Sequence, residues 1–277
     1  MLPTTSAVLP GGARVRVCRL GPSQGEPLVL LHGYPDTLQI WGRLAPLLAI
    51  GRPVIACDWP GMGASDAWPG GTTPTHQAER LRQLLDHWGV PRASVLGMDM
   101  GAQPALAFAA LHPGRVGRLV VMNSLVLWDE ETSWEIRVLR HFGWNRWLLA
   151  RAPRLVFARA LRTSLPRGEV LPAAVRDDLW SCFRDPAVRT FIARLCAGYQ
   201  GTLPALPALY RAITRPTLIL WGDRDRHFPP AHATRLHALI PGSRLQIIAG
   251  GEHWMAWHLA EVLAQEITAF LDAPCAS

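Results

Sequence analysis

Lysine is absent from this 277-residue chain, and its 28 basic side chains are all arginine. The formal charge is +7, but the arginines are scattered and form no long basic run, so nucleic-acid binding is not expected. Cysteine is scarce and unpatterned. Cys18, Cys57, Cys182, Cys196 and Cys275 are odd in number and show no Cys-x-x-Cys spacing, which argues against a disulfide framework or a zinc site. They read as reduced thiols of a cytoplasmic protein. No apolar run reaches the ~20 residues of a membrane-spanning helix, so stable membrane insertion is not expected. The first ten residues lack a basic start followed by a long apolar stretch, so no secretory leader is expected. The histidines show no metal-ligand spacing, and the glycine-rich stretch Asp58 to Ser65 has neither a phosphate-loop lysine nor a dinucleotide fingerprint. No metal and no cofactor are therefore expected.

What is present is a rhythm. Arg14 to Leu20 alternates like an edge strand. Short apolar runs at Pro27–Leu31, Pro53–Cys57, Ala93–Leu96, Arg118–Met122, Pro216–Trp221 and Leu245–Ala249 read as buried strands. Between them lie helical patterns at Leu38–Ala49, Thr75–Trp88, Gln103–Leu111 and Arg235–Leu239, and a closing amphipathic one at Met255–Leu271. Strands alternating with helices predict an α/β fold with a mostly parallel central sheet flanked by helices. From Leu127 to Tyr210 the strands stop. The segment is rich in Arg, Leu and Trp and is punctuated by Pro153, Pro166, Pro172 and Pro186, which predicts short helices forming an inserted cap. The expected division is a core of residues 1–126 and 211–277 with a helical cap at 127–210. The arginine excess between Arg137 and Arg167, interleaved with Trp and Leu, reads as a solvated helical face, with a membrane-facing or partner-facing surface as the alternative.

The stretch that organises the chain is Gly97-Met98-Asp99-Met100-Gly101, a strand running through Gly-x-Asp-x-Gly into a helix. This pattern predicts a tight turn that holds one side chain clear of the backbone, with the Met100 N–H placed to stabilise an anion. A carboxylate there needs no base to activate it and suits attack on saturated carbon through an alkyl ester. His32-Gly33-Tyr34-Pro35-Asp36 follows another strand end. There the Tyr34 N–H is a second anion donor, and His32 is read as a brace for the turn. Two later strand ends carry Asp225 and His253.

In the order Asp99, Asp225, His253, the chain resembles the α/β-hydrolase superfamily from about Arg14 to Leu271. The elbow Asp, His32-Gly33-Tyr34-Pro35 and His253-Trp254 resemble its epoxide hydrolase and haloalkane dehalogenase branch. The resemblance implies Asp99 as nucleophile, His253 as base and Asp225, last in Gly-x-x-Asp, as the acid that orients it. Asp223 is the rival acid, and Asn123 and Asp129 sit near an alternative acid position. It also implies two cap tyrosines that stabilise an epoxide's alkoxide. Tyr199 suits the second of these, and Tyr210 is a weaker substitute. No tyrosine lies between Trp128 and Gly198, so His141 is the candidate for the first, with Trp144 and Trp147 nearby. Trp254 is expected at the substrate as well. Met100, where dehalogenases of this type carry Trp or Arg, offers no side-chain donor. The expected reaction is epoxide opening to a diol, with halide release or a non-catalytic or biosynthetic role as alternatives. The expected partner is a small apolar organic molecule, and nothing in the sequence stands against a homodimer.

Overall fold

A computed structural model describes residues 1–141 and 143–274, the side chains of His141, Trp144 and Asn145 excepted. Eight strands form one sheet in the order β1-β2-β4-β3-β5-β6-β7-β8. They are β1 (Thr5–Val8), β2 (Arg14–Leu20), β3 (Leu28–Leu31), β4 (Val54–Cys57), β5 (Ala93–Met98), β6 (Val116–Met122), β7 (Thr217–Gly222) and β8 (Arg244–Ile248). The pairs β1–β2 and β2–β4 are antiparallel, and all the others are parallel. Strands β3, β4, β5 and β7 are buried at every position, which is why each reads as a continuous apolar run. This is the α/β architecture with a mostly parallel central sheet expected from the alternation of elements.

The sheet is flanked by α1 (Leu44–Leu48), α2 (Pro74–His87), α3 (Ala102–Leu111), α10 (Ala231–Leu239), α11 (Met255–His258) and α12 (Ala260–Asp272). Between β6 and β7 every regular element is helical: α4 (Trp134–His141), α5 (Gly143–Arg151), α6 (Pro153–Ser164), α7 (Ala173–Phe183), α8 (Pro186–Thr202) and α9 (Leu206–Arg211). The prolines start these helices more often than they interrupt them. Pro153 and Pro186 occupy first turns, where the missing N–H costs nothing.

Three expectations are corrected. Arg14–Leu20 is not the edge strand; Thr5–Val8, too short and exposed to show a pattern, pairs outside it. Leu38–Ala49 is not one amphipathic helix. It is a 3-10 turn at Leu38–Trp41, capped by the Thr37 hydroxyl, followed by the short α1. Leu38 to Trp41 are all buried, so no polar face exists to continue. The closing helix breaks at Leu259. There His258 turns back, accepting from Glu252 N–H at 3.2 Å and lying 3.0 Å from the Trp254 carbonyl.

An ionic cluster fastens α7 to the sheet. Arg16 on β2 bonds Asp58 through Nε at 2.5 Å and grips both carboxylate oxygens of Asp178 at 2.6 and 3.0 Å. Thr37 donates to the same carboxylate at 2.7 Å. Asp58 also accepts from the N–H groups of Leu38 and Ala64, so the glycine-rich stretch that follows it is structural, as expected. Removing Asp178 leaves the largely buried Arg16 held only through Nε by Asp58, with the other two guanidinium nitrogens stripped of their acceptor. Asp178→Ala is expected to cost about 3 kcal/mol, read as a lower urea midpoint with unchanged slope. A loss within experimental error would show that the cluster does not secure the helical segment.

Candidate active site

Asp99 stands between β5 and α3 with φ at 49°, a left-handed backbone that Asp tolerates better than most residues. The turn closes because its glycines lack a Cβ: one on Gly97 would lie 2.5 Å from the Gly101 carbonyl oxygen, and one on Gly101 only 2.2 Å from that of Leu31. The Asp99 backbone is pinned on both sides. Its N–H donates to the Asn123 carbonyl at 3.0 Å, and its carbonyl accepts from the Ser124 hydroxyl at 2.6 Å. The carboxylate accepts from the Tyr34 N–H at 2.7 Å, and the Met100 N–H also bonds it. Both expected backbone donors thus meet on this side chain. His32 braces the Tyr34 turn, with Nδ1 2.9 Å from the Gly33 carbonyl and Nε2 accepting from the Trp59 N–H at 3.2 Å.

Asp225 lies 3.0 Å from His253 Nδ1 through one oxygen. Its other oxygen accepts from the N–H groups of His227 and Phe228 at 2.7 and 3.2 Å. Burial opposes its charge, but His253 and these donors outweigh burial and hold Asp225 below the usual carboxylate range. Asp223 is exposed and Asp129 pairs with Arg235 on the surface, so neither stands beside the histidine. Burial likewise disfavours a charged His253, yet Asp225, Asp99 and Asp36 together raise it to about 9. Asp99 is itself pushed up by burial, in part offset by His253 and its two N–H donors.

A cavity of about 200 Å³ opens on Asp99 and His253. Its wall is largely apolar, with Ile136, Val138, Leu139, Leu148 and Val156 among its lining residues. Of the other expected contacts, Trp147 is 60% exposed and does not line it, because its indole points off the surface of α5. Trp254 is fully buried and also outside the lining; its backbone N–H binds the Ser164 carbonyl and its indole is directed at Asp36, outside full hydrogen-bonding geometry. Tyr210 spends its hydroxyl on the Val126 carbonyl. The side chains of His141 and Trp144, like the whole of Cys275, fall outside what the structure describes. Cys18, Cys57, Cys182 and Cys196 are free, buried thiols. Among the described residues no cluster of His, Cys, Asp and Glu is arranged to hold a metal ion.

Tyr34 carries more than its backbone N–H. The residue lines the cavity, its ring packs edge-on to Phe183 with ring centroids 5.8 Å apart, and its buried hydroxyl has no partner. The hydroxyl of Tyr199 is also buried and is directed at Gln103, outside full hydrogen-bonding geometry; Tyr199 is not among the lining residues. Burial raises both phenols above their ordinary value, and both feel the charge of Asp99. Sequence reasoning missed two further groups, Asp36 and His227, and gave a third, Asn123, a different role. Asp36, next to the glycine turn, is pushed up to about 8 by burial and by Asp99. His227 lines the cavity between the hydroxyls of Ser133 and Thr163, at 2.9 and 3.1 Å, and burial beside His253 lowers it to about 4. Asn123, at φ 27°, is a clamp rather than a spare acid. Its Nδ2 donates to the carbonyls of Glu252 and His253 at 3.0 and 3.1 Å, and its Oδ1 accepts from the Gly222 N–H at 2.9 Å. An Asn straight after a buried strand is the available signal, since Asn tolerates this backbone and offers both a donor and an acceptor.

Known proteins resemble the chain over most of its length. A family model described as alpha/beta hydrolase fold matches residues 26–258. A 2-hydroxy-6-oxononadienedioate/2-hydroxy-6-oxononatrienedioate hydrolase from Pseudomonas putida is 31% identical over 264 residues, covering 89% of this chain and 88% of that protein. Among solved structures, a membrane phospholipase A superposes with a TM-score of 0.84 at 27% identity, over 98% of this chain and 86% of that one. Cfl2 from Burkholderia cenocepacia superposes at 0.86 and 23% identity, over 97% and 95%, a likeness of fold. None of these names concerns an epoxide or a haloalkane.

The charge on His253 ties stability to pH. Its folded value, about 9, lies above the ordinary 6.5. The stabilisation is therefore fully present below pH 6.5 and is lost as pH rises through 9. The thermal midpoint of the wild type is expected to fall across that window, and Asp225→Asn to flatten the fall. Equal slopes in the two proteins would mean that Asp225 does not hold the imidazolium.

Proposed function

Because the chain belongs to the α/β-hydrolase fold family, matched from residue 26 to 258, we propose that it is a hydrolase working through an Asp99 alkyl ester, and that it opens a small apolar epoxide to a diol. The observation that carries the reading is a buried carboxylate at the elbow with two buried tyrosine hydroxyls that feel its charge: that of Tyr34, which has no partner, and that of Tyr199, which is directed at Gln103 outside full hydrogen-bonding geometry.

Asp99 attacks a ring carbon and the C–O bond opens, leaving an alkoxide. Tyr34 and Tyr199 hydrogen-bond that oxygen. Burial holds their own protons firmly, so the proton comes from His253, which is charged below about pH 9. His253 is then neutral and takes a proton from water, whose oxygen attacks the ester carbon. The N–H groups of Tyr34 and Met100 meet the oxyanion that forms. As the ester breaks, the acyl hydroxyl proton passes to the departing alkoxide, restoring Asp99 and the charged His253. Tyr34 thus fills the role for which the sequence offered only His141.

Two other substrates fit less well. Halide release needs a pair of side-chain N–H donors; Met100 has none, the indoles of Trp147 and Trp254 are directed elsewhere, and of the described lining residues only Trp134 carries an indole. A dienedioate, the substrate class in the Pseudomonas putida relative's name, needs cations for its carboxylates. Of the described lining residues, His227 is neutral and Arg159 is already bound to Glu135, through Nε at 2.7 Å.

Incubating His253→Ala with a panel of terminal epoxides and haloalkanes is expected to leave a stable adduct on the intact protein, heavier by one whole epoxide, with none on Asp99→Ala. An adduct equal to a haloalkane less hydrogen halide would move the assignment to dehalogenation. Full turnover by Asp99→Ala would sink the mechanism. On an epoxide substrate, Tyr34→Phe and Tyr199→Phe are each expected to lower kcat about a hundredfold, the usual loss of one oxyanion donor, with little change in thermal midpoint. Unchanged kcat in both would remove the phenols from the reaction.

A further inference from the structure

From Ser133 to Gly168 the chain holds eight arginines and a single acid, Glu135, so this segment alone carries a formal +7, the net charge of the whole protein. It comprises α4, α5 and α6, which pack on one another. Arg137, Arg146, Arg151, Arg162 and Arg167 are exposed and have no carboxylate partner among the described residues. The same helices expose large apolar side chains: Trp134 is 61% exposed, Trp147 60% and Leu155 72%. Spacing puts the two kinds of side chain on common faces. Trp134 precedes Arg137 by three residues, Trp147 precedes Arg151 by four, and Leu155 shares its face of α6 with Arg159 and Arg162. Trp134 and Leu155 also line the cavity, so its mouth opens among these exposed groups.

A solvated helical face has no need of exposed Trp and Leu, and a hydrophobic protein interface has no need of five exposed arginines without carboxylate partners. Arginine beside interfacial Trp and Leu on short helices is the composition that binds a bilayer surface from one side. We propose that α4–α6 form a peripheral docking surface for anionic phospholipid membranes, with the arginines on the headgroups and Trp134, Trp147 and Leu155 in the interface. No helix of the described residues is long and apolar enough to cross a membrane, so the contact is superficial. The cavity mouth then faces the lipid, and an apolar substrate enters without crossing water. Only that last step rests on the chemistry assigned to Asp99; vesicle binding and turnover are measured separately.

The test is co-sedimentation with vesicles of phosphatidylcholine alone and of phosphatidylcholine doped with phosphatidylglycerol. The wild type is expected to bind only the doped vesicles and to release as salt rises. Replacing Arg137, Arg151 and Arg162 together by Gln is expected to weaken binding about a hundredfold, at roughly fivefold per basic group near the surface. The same positions changed to Lys should keep it, and Trp147→Ala should weaken it severalfold. These side chains are exposed, and unchanged circular dichroism spectra confirm folding. Absence of binding at low salt, equal binding to both vesicle types, or equal binding by the Gln variant each overturns the proposal. So does retention on heparin without retention on either vesicle, which points to a soluble acidic partner.

Discussion

Four ionisable groups, Asp36, Asp99, Asp225 and His253, share one buried space, and its charge balance constrains everything around it. Isolated charges in such a place are prohibitively costly. The arrangement keeps each one compensated. Asp225 is held ionised by His253 and two backbone donors, His253 is held charged by the carboxylates, and Asp99 leans on two N–H groups. Asp36, left with one unpartnered oxygen, is the group that gives way and keeps its proton at neutral pH. The balance also bears on the proposed chemistry: an ester formed at Asp99 would remove one of the anions that hold the proton on His253.

That balance depends on bringing several strand ends together, and Asn123 does much of this. It reaches the Asp99 backbone after β5, the start of the acid turn after β7 and the histidine turn after β8. A residue with one donor group and one acceptor group serves three chain segments, so its side chain could not be exchanged for a carboxylate without losing the donor half. The helical segment joins in through the Ser164 carbonyl, which holds Trp254 beside the base, and through Asp178, which holds α7 to Arg16. Asp99, Asp225, His253 and the cavity wall are thereby fixed to one frame.

Much of this was legible beforehand, for identifiable reasons. The buried strands could be read because both sheet faces are covered, leaving runs such as Leu28–Leu31 uninterrupted by polar residues. The elbow could be read because close backbone approach leaves only glycine at Gly97 and Gly101. Thr5–Val8 could not, because an exposed four-residue strand has no pattern to show. The aromatic contacts were the least legible. Trp147, Trp254 and Tyr210 are chemically able to serve a substrate, and only their directions, outward or toward other partners, remove them.

The sequence by itself determined the alternation of strands and helices, the helical insertion after β6, and the order of Asp99, Asp225 and His253. Each of these follows from local patterns: apolar periodicity, turn residues and glycine spacing. Tertiary structure alone decided which acid faces the histidine, that Tyr34 lines the cavity with its buried hydroxyl left without a partner, and that Asp36 and His227 lie near Asp99 and His253 uncharged. Those outcomes depend on burial and on distances between residues far apart in the chain, and the desolvation that sets their charge exists only once the fold has closed around them.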